Sequence, residues 1–207
     1  TIVRFFQNGG LFMYPTVLIL AIGVSIAVER YIYLTRTESL NRKLWEKMQP
    51  LLSNGDYAGA FDVSSKSDAA VGQVLAYGIS RMRTSNDRQD VEMSMEESLL
   101  EVTPQLEKRT HYLAVLANVA TLLGLLGTII GLIDGFTAVA NVNPAEKADL
   151  LSASISVAMN TTAFGLMVAI PLLLLHAVLQ TRTTALVDSI EMASVKFLNT
   201  TRTTEAA

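Results

Sequence analysis

The stretch Leu113–Phe136, LAVLANVATLLGLLGTIIGLIDGF, constrains the fold of this chain most, because it is apolar and carries a stripe of glycines. Gly124, Gly127, Gly131 and Gly135 follow one another at intervals of three, four and four residues. In a helix these positions share one face, and leucine and isoleucine cover the others. Glycine weakens a helix in water, but in hydrocarbon every backbone polar group must bond within the segment. The stretch therefore predicts a membrane helix whose glycine face allows close contact with another helix.

Two further apolar stretches, residues 11–34 and 154–179, are long enough to cross roughly 30 Å of hydrocarbon. The later one repeats small residues at helical spacing, at Ala158, Thr162, Gly165 and Ala169. Half of the 207 residues are hydrophobic, which is too apolar for an ordinary soluble domain. The predicted fold is an all-α membrane protein with three transmembrane helices and long helical cytoplasmic extensions.

The alternation of apolar and polar stretches predicts seven segments. They are an N-terminal periplasmic interfacial segment at 1–10, transmembrane helix 1 at 11–34, a cytoplasmic helical domain at 35–112, transmembrane helix 2 at 113–136, a periplasmic loop at 137–153, transmembrane helix 3 at 154–179, and a cytoplasmic C-terminal helix and tail at 180–207. The first span ends in charges without a small-residue cleavage site, so we expect it to remain as a span.

Within the polar segment 35–112, apolar residues recur at helical intervals. A helix is expected to begin near Asp87 or Asp90. Its apolar face is predicted at Val91, Met95, Leu99, Val102 and Leu106. Pro104 can kink this helix, but the periodicity continues to Leu113, which predicts one long helix that enters the membrane. The periodicity after Leu179 predicts that the third membrane helix also continues into the cytoplasm as an amphipathic rod.

Cationic residues set the expected orientation of the spans. Residues 35–112 hold ten Lys or Arg and the tail after residue 180 holds three, whereas the segment 137–153 holds only Lys147. Cytoplasmic segments of membrane proteins carry an excess of Lys and Arg. The N-terminus is therefore expected on the periplasmic side and the C-terminus in the cytoplasm.

The composition argues against several classes of function. A net charge of −3 gives no basic field for nucleic acid, and the absence of cysteine removes disulfides, thiolate metal sites and cysteine nucleophiles. Two histidines make a poor metal set. No nucleophile elbow or phosphate-binding glycine loop is visible in the sequence. We therefore expect neither an enzyme nor a cofactor or metal.

A series of polar residues interrupts the second and third spans, at Thr121, Thr128, Asn160, Thr161 and Thr162. Any one threonine can simply bond the carbonyl of the preceding turn. The alternative is a polar seam that guides water or hydronium along a helix interface, because hydroxyls both donate and accept hydrogen bonds. A threonine does not titrate near neutral pH and cannot hold a translocated proton. If protons cross here, the carrier acid is expected on another polypeptide.

Titratable groups are scarce in the spans. Asp134 lies close to the outer end of the second span and is interpreted first as an interfacial carboxylate, with a carrier role as the alternative. Glu29 and Arg30 end the first span and are interpreted as interfacial charges. His176 lies toward the inner end of the third span, where a hydrogen bond across helices is favoured over a proton relay.

The runs LLGLLGTIIGLIDGF and TTAFGLMVAIP, the Glu29–Arg30 pair and the three-span layout together resemble the MotA/TolQ/ExbB family of proton-channel motor subunits. The likeness is closest to the ExbB/TolQ branch. It implies a homo-pentamer in the bacterial inner membrane, around a pore that holds a dimer of ExbD/TolR-type single-span partners. Each partner would supply the membrane aspartate that takes and releases the proton. The resemblance also implies a TonB-like or other periplasm-spanning effector.

Matched by position, the resemblance assigns the two pore threonines of the family to Thr128 and Thr162, with Thr161 and Asn160 beside them. Helix packing or partner contact is expected at Gly124, Gly127, Gly131, Gly135, Gly165 and Pro171, and Pro171 would permit a local break in its helix. One position departs from the pattern, since Val157 stands where this branch commonly has a glutamate. The implied function is a stator subunit of a proton-driven rotary motor. A membrane scaffold oligomer without ion conduction is the alternative from another class.

Overall fold

The computed structural model describes residues 10–85, 87–140 and 142–205, so the interfacial segment expected at 1–10 lies, except for Gly10, outside the described residues. The described residues form six α-helices: α1 Met13–Ser53, α2 Tyr57–Ser65, α3 Ala70–Met82, α4 Arg88–Glu107, α5 Thr110–Ala140 and α6 Pro144–Glu205. Within these described ranges the chain forms no strand. The predicted all-α class is confirmed.

In the part of the chain that the structure describes, three helical stretches are long and apolar enough to cross a membrane: Met13–Ser53, Arg88–Ala140 and Pro144–Thr201. The first is α1, the second combines α4 and α5, and the third is most of α6. The prediction of three membrane helices is confirmed. The residues at which each helix enters the bilayer stay predictions.

The start of α4 was predicted correctly. Asp87 is its N-cap, and its Oδ1 accepts a hydrogen bond from the backbone N–H of Gln89 at 2.9 Å. A side-chain cap of this kind satisfies one of the free N–H groups at a helix start. Four of the five residues expected on the apolar face are buried: Val91, Met95, Val102 and Leu106.

The one long helix expected from α4 into α5 is interrupted at Lys108 and Arg109, although Arg88–Ala140 forms one long helical stretch. α4 ends at Glu107, and Arg109 has a φ of 65°, in the left-handed region. The Arg30 guanidinium donates a hydrogen bond to the carbonyl of Leu106, which in a continuous helix would accept from the N–H four residues later. An arginine side chain thus caps the end of α4. Pro104 lies inside α4 without ending it.

The segment 137–153, expected as a loop, is mostly helical. α5 continues to Ala140 and α6 begins at Pro144. Proline suits the first position of a helix, because its missing N–H would have no partner there. Among the described residues between the two helices, only Val142 and Asn143 are not helical.

The chain forms two compact units. The first unit contains the described residues up to Glu29 together with Arg109–Val178. Its helices bury small residues, such as Ala117, Ala120 and Ala158, and expose large apolar ones, such as Leu122, Ile133 and Leu174. This distribution suits a helix bundle surrounded by lipid, where close backbone contact and not apolar burial drives association.

The second unit contains Arg30–Lys108 and the described residues from Leu179 onward. It buries large side chains in the manner of a water-soluble domain, at Leu75, Ile79, Met95, Ile190 and Phe197. A Cβ added at Gly78 would lie 2.6 Å from Sδ of Met95 and 3.2 Å from Cε1 of Phe197. The missing side chain of Gly78 therefore makes room for two of the largest core residues.

Candidate functional site

The glycine face of α5 lies against the small-residue face of α6, and we call this contact the seam. A Cβ added at Gly165 would lie 2.7 Å from the carbonyl oxygen of Ala120 and 3.0 Å from Cα of Gly124. A Cβ added at Gly124 would lie 3.2 Å from Cα of Thr162. These neighbours are backbone atoms, which cannot move aside as a side chain can. The two helix backbones themselves therefore make the contact.

The seam continues along α5 toward its C-terminal end. A Cβ added at Gly131 would lie 3.1 Å from Cβ of Ala158, and one at Gly135 would lie 2.6 Å from Cβ of Ser154. The glycine stripe thus faces the third membrane helix of the same chain over about three turns. Within one chain, the two small-residue stripes that the sequence shows meet each other.

Thr128 and Thr162 meet on this seam. Their Oγ1 atoms form a hydrogen bond with each other. Oγ1 of Thr162 lies 2.9 Å from the carbonyl oxygen of Gly124, and Oγ1 of Thr128 lies 3.2 Å from that same oxygen. Oγ1 of Thr128 is also 3.3 Å from the carbonyl oxygen of Ala158. Two partly buried hydroxyls and two backbone carbonyls therefore form one polar cluster between α5 and α6.

This cluster can orient and solvate a positive charge. A hydroxyl carries one proton and two lone pairs, so the two protons of the pair cannot serve every nearby acceptor at once. Each hydroxyl can exchange its partner between the other hydroxyl and a carbonyl by rotation about its C–O bond. The pair can therefore accept a hydrogen bond from a passing hydronium and then donate to the next oxygen. It cannot store the proton, because neither hydroxyl titrates near neutral pH.

The other predicted pathway and packing residues lie at different places. Thr161 is buried, donates to the carbonyl of Val157 at 2.9 Å, and presents its methyl group to Gly127. Asn160 precedes Thr162 by two residues, so it lies roughly 160° away around α6. Pro171 is exposed, and α6 runs through it without a break. The structure thus brings Thr161 to the seam, but places neither Asn160 nor a break at Pro171 there.

The additional charged candidates have separate surroundings. Asp134 is exposed on α5. Oε2 of Glu29 lies 3.1 Å from Nη1 of Arg109 in a half-exposed ion pair. Arg30 is 2% exposed, and its guanidinium lies 4.6 Å from the centre of the Tyr33 ring. Glu29 and Arg30, the two neighbouring charges at the end of the first predicted span, therefore make different contacts.

Two contacts of the first unit complete the surroundings of the seam. Nδ1 of His176 lies 3.0 Å from the carbonyl oxygen of Thr110, which is the cross-helix bond favoured for this histidine. A Cβ added at Gly23 would lie 3.0 Å from Cδ1 of Leu172. Gly23 had no predicted role. Its position as a lone glycine inside the first span was the signal that could have revealed the contact of α1 with α6.

The carbonyl oxygens of Gly124 and Ala158 were also missed from the sequence. Every residue has a carbonyl, so nothing in residue identity marks these two. They join the polar cluster because glycine and alanine at these positions let the helices approach until a hydroxyl of one helix reaches the backbone of the other.

Comparison with known proteins gives a family for the part of the chain that contains the seam. Residues 66–192 match the model of the MotA/TolQ/ExbB proton channel family, and this range contains α5, the seam and both threonines. The match covers more than half of the chain. It is a channel family and not a family of enzymes.

Two relatives carry names from the same family. An ExbB homolog described as a biopolymer transport protein, from Methanothermobacter thermautotrophicus, is 29% identical over 93% of this chain and 67% of that protein. Biopolymer transport protein exbB1 of Vibrio cholerae is 38% identical over 35% of this chain and 32% of that protein. The alignments thus span about two thirds of the first relative and about one third of the second. The chain is a multi-pass membrane protein that belongs to the MotA/TolQ/ExbB proton channel family.

Proposed function

We propose that this chain is an ExbB/TolQ-like stator subunit of a rotary motor driven by the proton-motive force. Five copies would surround a dimer of an ExbD/TolR-type single-span partner in the bacterial inner membrane. The N-terminus would be periplasmic and the C-terminus cytoplasmic, with residues 11–34, 113–136 and 154–179 in the bilayer. Proton flow between the pentamer and its partner would drive work on a TonB-like or other effector that spans the periplasm.

The polar cluster of Thr128 and Thr162 carries this proposal. It lies within the range that the family model matches, and it supplies oxygen atoms from both α5 and α6. Asp134 is the only acid in the two stretches 113–136 and 154–179, and it lies about 1.7 turns beyond Thr128. The cluster therefore has the donors and acceptors to pass a proton but lacks a group that holds one. The carboxylate that holds the proton would therefore belong to the partner.

The remaining residues support the pair in the proposed motor. Gly124, Gly127 and Gly165 fix the spacing of the two helices, so both hydroxyls keep the same position while a partner helix moves past them. A proton that crosses a potential of 100 mV releases about 2.3 kcal/mol. Several protons per cycle can therefore drive a stepwise rotation of the partner against the pentamer.

Replacing the hydroxyls by methyl groups tests the proposal. In vesicles that contain the chain and its partner, Thr128→Val with Thr162→Val should lower proton flux roughly tenfold or more, because a hydrogen bond to a charged group contributes about 1.5–3 kcal/mol. Thr121→Val is the matched control, since Thr121 on the same helix bonds only within its helix, to the carbonyl of Ala117 at 3.1 Å. Flux should be unchanged in that control.

The scaffold alternative rests on a specific observation, namely that each threonine of the pair already has partners within its own chain. Such a pair can hold two helices together without moving a proton. Full flux in the double valine variant, with normal assembly, would remove the proposed proton role of the pair. Absence of flux from the unmodified complex, with its partner present and a potential applied, would favour the scaffold.

A further inference from the structure

Of the grooves that border α6 in the second unit, two carry charges of opposite sign. The first, which we call the acidic groove, lies between α4 and α6, has a volume of about 300 Å³, and includes Glu92, Glu96, Leu99, Glu191 and Val195. The second, which we call the basic groove, lies between α1 and α6 and has a volume of about 330 Å³. It includes Glu38, Arg42, Trp45, Met192 and Lys196. Each groove combines charged groups with an apolar floor.

The two grooves lie at the same level along α6. Glu191 and Val195 of the acidic groove alternate in sequence with Met192 and Lys196 of the basic groove. Successive residues of a helix point about 100° apart. Glu191 and Val195 therefore face one flank of α6, and Met192 and Lys196 face the other. Phe197 and the other buried residues of α6 face the core between the two flanks. The grooves therefore open on opposite sides of one helix.

The charges of the grooves are opposite. The acidic groove has three glutamates and includes no cationic residue. The basic groove has two cations against Glu38, and Nζ of Lys196 lies 5.9 Å from the centre of the Trp45 ring. The side chain of Arg42 is 77% exposed, which leaves its guanidinium accessible even though it pairs with Glu46 in its own helix.

Apolar groups accompany these charges on both flanks. Val195 is 52% exposed beside the acidic groove, and Met192 is 56% exposed beside the basic groove. Exposed apolar residues rimmed by charge are typical of a protein interaction surface. Each groove thus combines an apolar surface with charges opposite to those of the other groove.

We propose that the acidic groove of one copy of this chain binds the basic groove of the next copy. Suppose that neighbouring copies are related by a rotation about an axis parallel to α6. Equivalent residues then lie at the same height along this axis, so the acidic flank of one copy can face the basic flank of its neighbour. A contact between two different surfaces of the same chain closes into a ring when the rotation divides a full turn. The inference rests on the oligomer in the proposed function and assigns the surface that holds its copies together.

Cysteine cross-linking tests the contact in the full chain, in membranes. The chain has no cysteine, so only introduced residues can react. Glu96→Cys combined with Arg42→Cys, under mild oxidation, should give a ladder of trimers and larger species, because each chain can bond to two different neighbours. Either substitution alone should give no species above a dimer.

A matched pair on the same two helices provides the control. Glu101→Cys combined with Lys43→Cys places the thiols on α4 and α1 but outside both grooves. This pair should give no ladder. The proposal is overturned if the groove pair stops at monomers or dimers, or if the control pair gives the same ladder.

Charge exchange provides a second and independent measurement. Glu92→Lys with Glu96→Lys should raise the concentration for half-assembly in detergent by about tenfold or more at low salt, because like charges then face each other across the contact. Adding Arg42→Glu and Lys196→Glu to that chain should return the value to within about threefold of the unmodified chain. The proposal is contradicted if the chain with all four substitutions assembles no better than the chain with only the two glutamate substitutions.

These outcomes are separate from those of the proton experiment. A chain that gives the ladder but carries no protons would refute the proton role and leave the interface in place. A complex that conducts protons but gives no ladder would refute the interface alone. If no ladder forms while Glu92→Lys and Glu96→Lys still lower proton flux, the acidic groove binds a basic segment of another protein, and the proposed contact between copies is wrong.

Discussion

The two units of this chain are both helical, yet they pack in opposite ways. The first unit brings helix backbones into contact, as at Gly124 and Gly165, and turns Leu122 and Ile133 outward. The second unit fills its interior with Leu75, Phe197 and other large side chains and turns charges outward. The same helix, α6, takes part in both kinds of packing along its length.

This difference shows what each unit tolerates. Contacts between side chains can relax, because a flexible side chain can change rotamer when a neighbour changes. Contacts between backbones cannot, because moving one backbone moves the whole helix. The first unit therefore holds its polar cluster at a fixed spacing, whereas the second unit can adjust locally.

The largest effect is expected from a cavity in the second unit. Phe197→Ala should lower the free energy of unfolding by about 3–5 kcal/mol, because Phe197 is fully buried and its removal leaves a large cavity. Unfolding of the purified chain in detergent, followed by circular dichroism, measures this loss. Phe197→Leu should cost less than half as much. Equal effects of the two substitutions would contradict the picture of a densely packed side-chain core.

A smaller effect should separate the two kinds of contact directly. Gly165→Ala adds one methyl group against the backbone of α5 and should cost about 1–3 kcal/mol. Gly78→Ala adds the same group against the side chain of Met95, which can shift, and 3.2 Å from Cε1 of Phe197. Alanine favours the helix by about 1 kcal/mol at either position, so Gly78→Ala, whose closest contact can relax, should cost less than Gly165→Ala. The comparison of the two units fails if Gly78→Ala proves the more damaging in the same unfolding assay.

The smallest effect concerns the interruption between α4 and α5. Arg109 has a φ of 65°, a conformation that glycine adopts without strain. Arg109→Gly and Arg109→Ala both remove the ion pair with Glu29, but only glycine relieves the strain. The glycine variant should therefore be more stable than the alanine variant by about 1 kcal/mol. Equal melting temperatures would show that the left-handed turn is not retained in the variants.

Helical periodicity was sufficient to predict much of this architecture. The glycine stripe, the small-residue stripe of α6 and the start of α4 at Asp87 all depend on local sequence, and the structure has each of them. The position of Asn160 also follows from local geometry, because residues two apart on a helix point about 160° away from each other. Asn160 and Thr162 therefore cannot both face the seam.

Other features depend on residues far apart in the chain. The end of α4 involves Arg30, 76 residues before the carbonyl that it binds. The closeness of Thr128 to Thr162 depends on how two helices approach across 34 residues of chain. Spacing within one helix carries no information about either contact, so only the family resemblance pointed to the threonine pair.

The contact of Gly165 with the backbone of α5 has a consequence for how variation at this position should be ranked. A scale that rewards lipid solubility would score leucine there as an improvement over glycine. The geometry ranks substitutions by volume instead, so serine should be better accepted than leucine. In a library that samples every amino acid at this codon, the survival of variants should decrease with side-chain size and depend little on side-chain polarity.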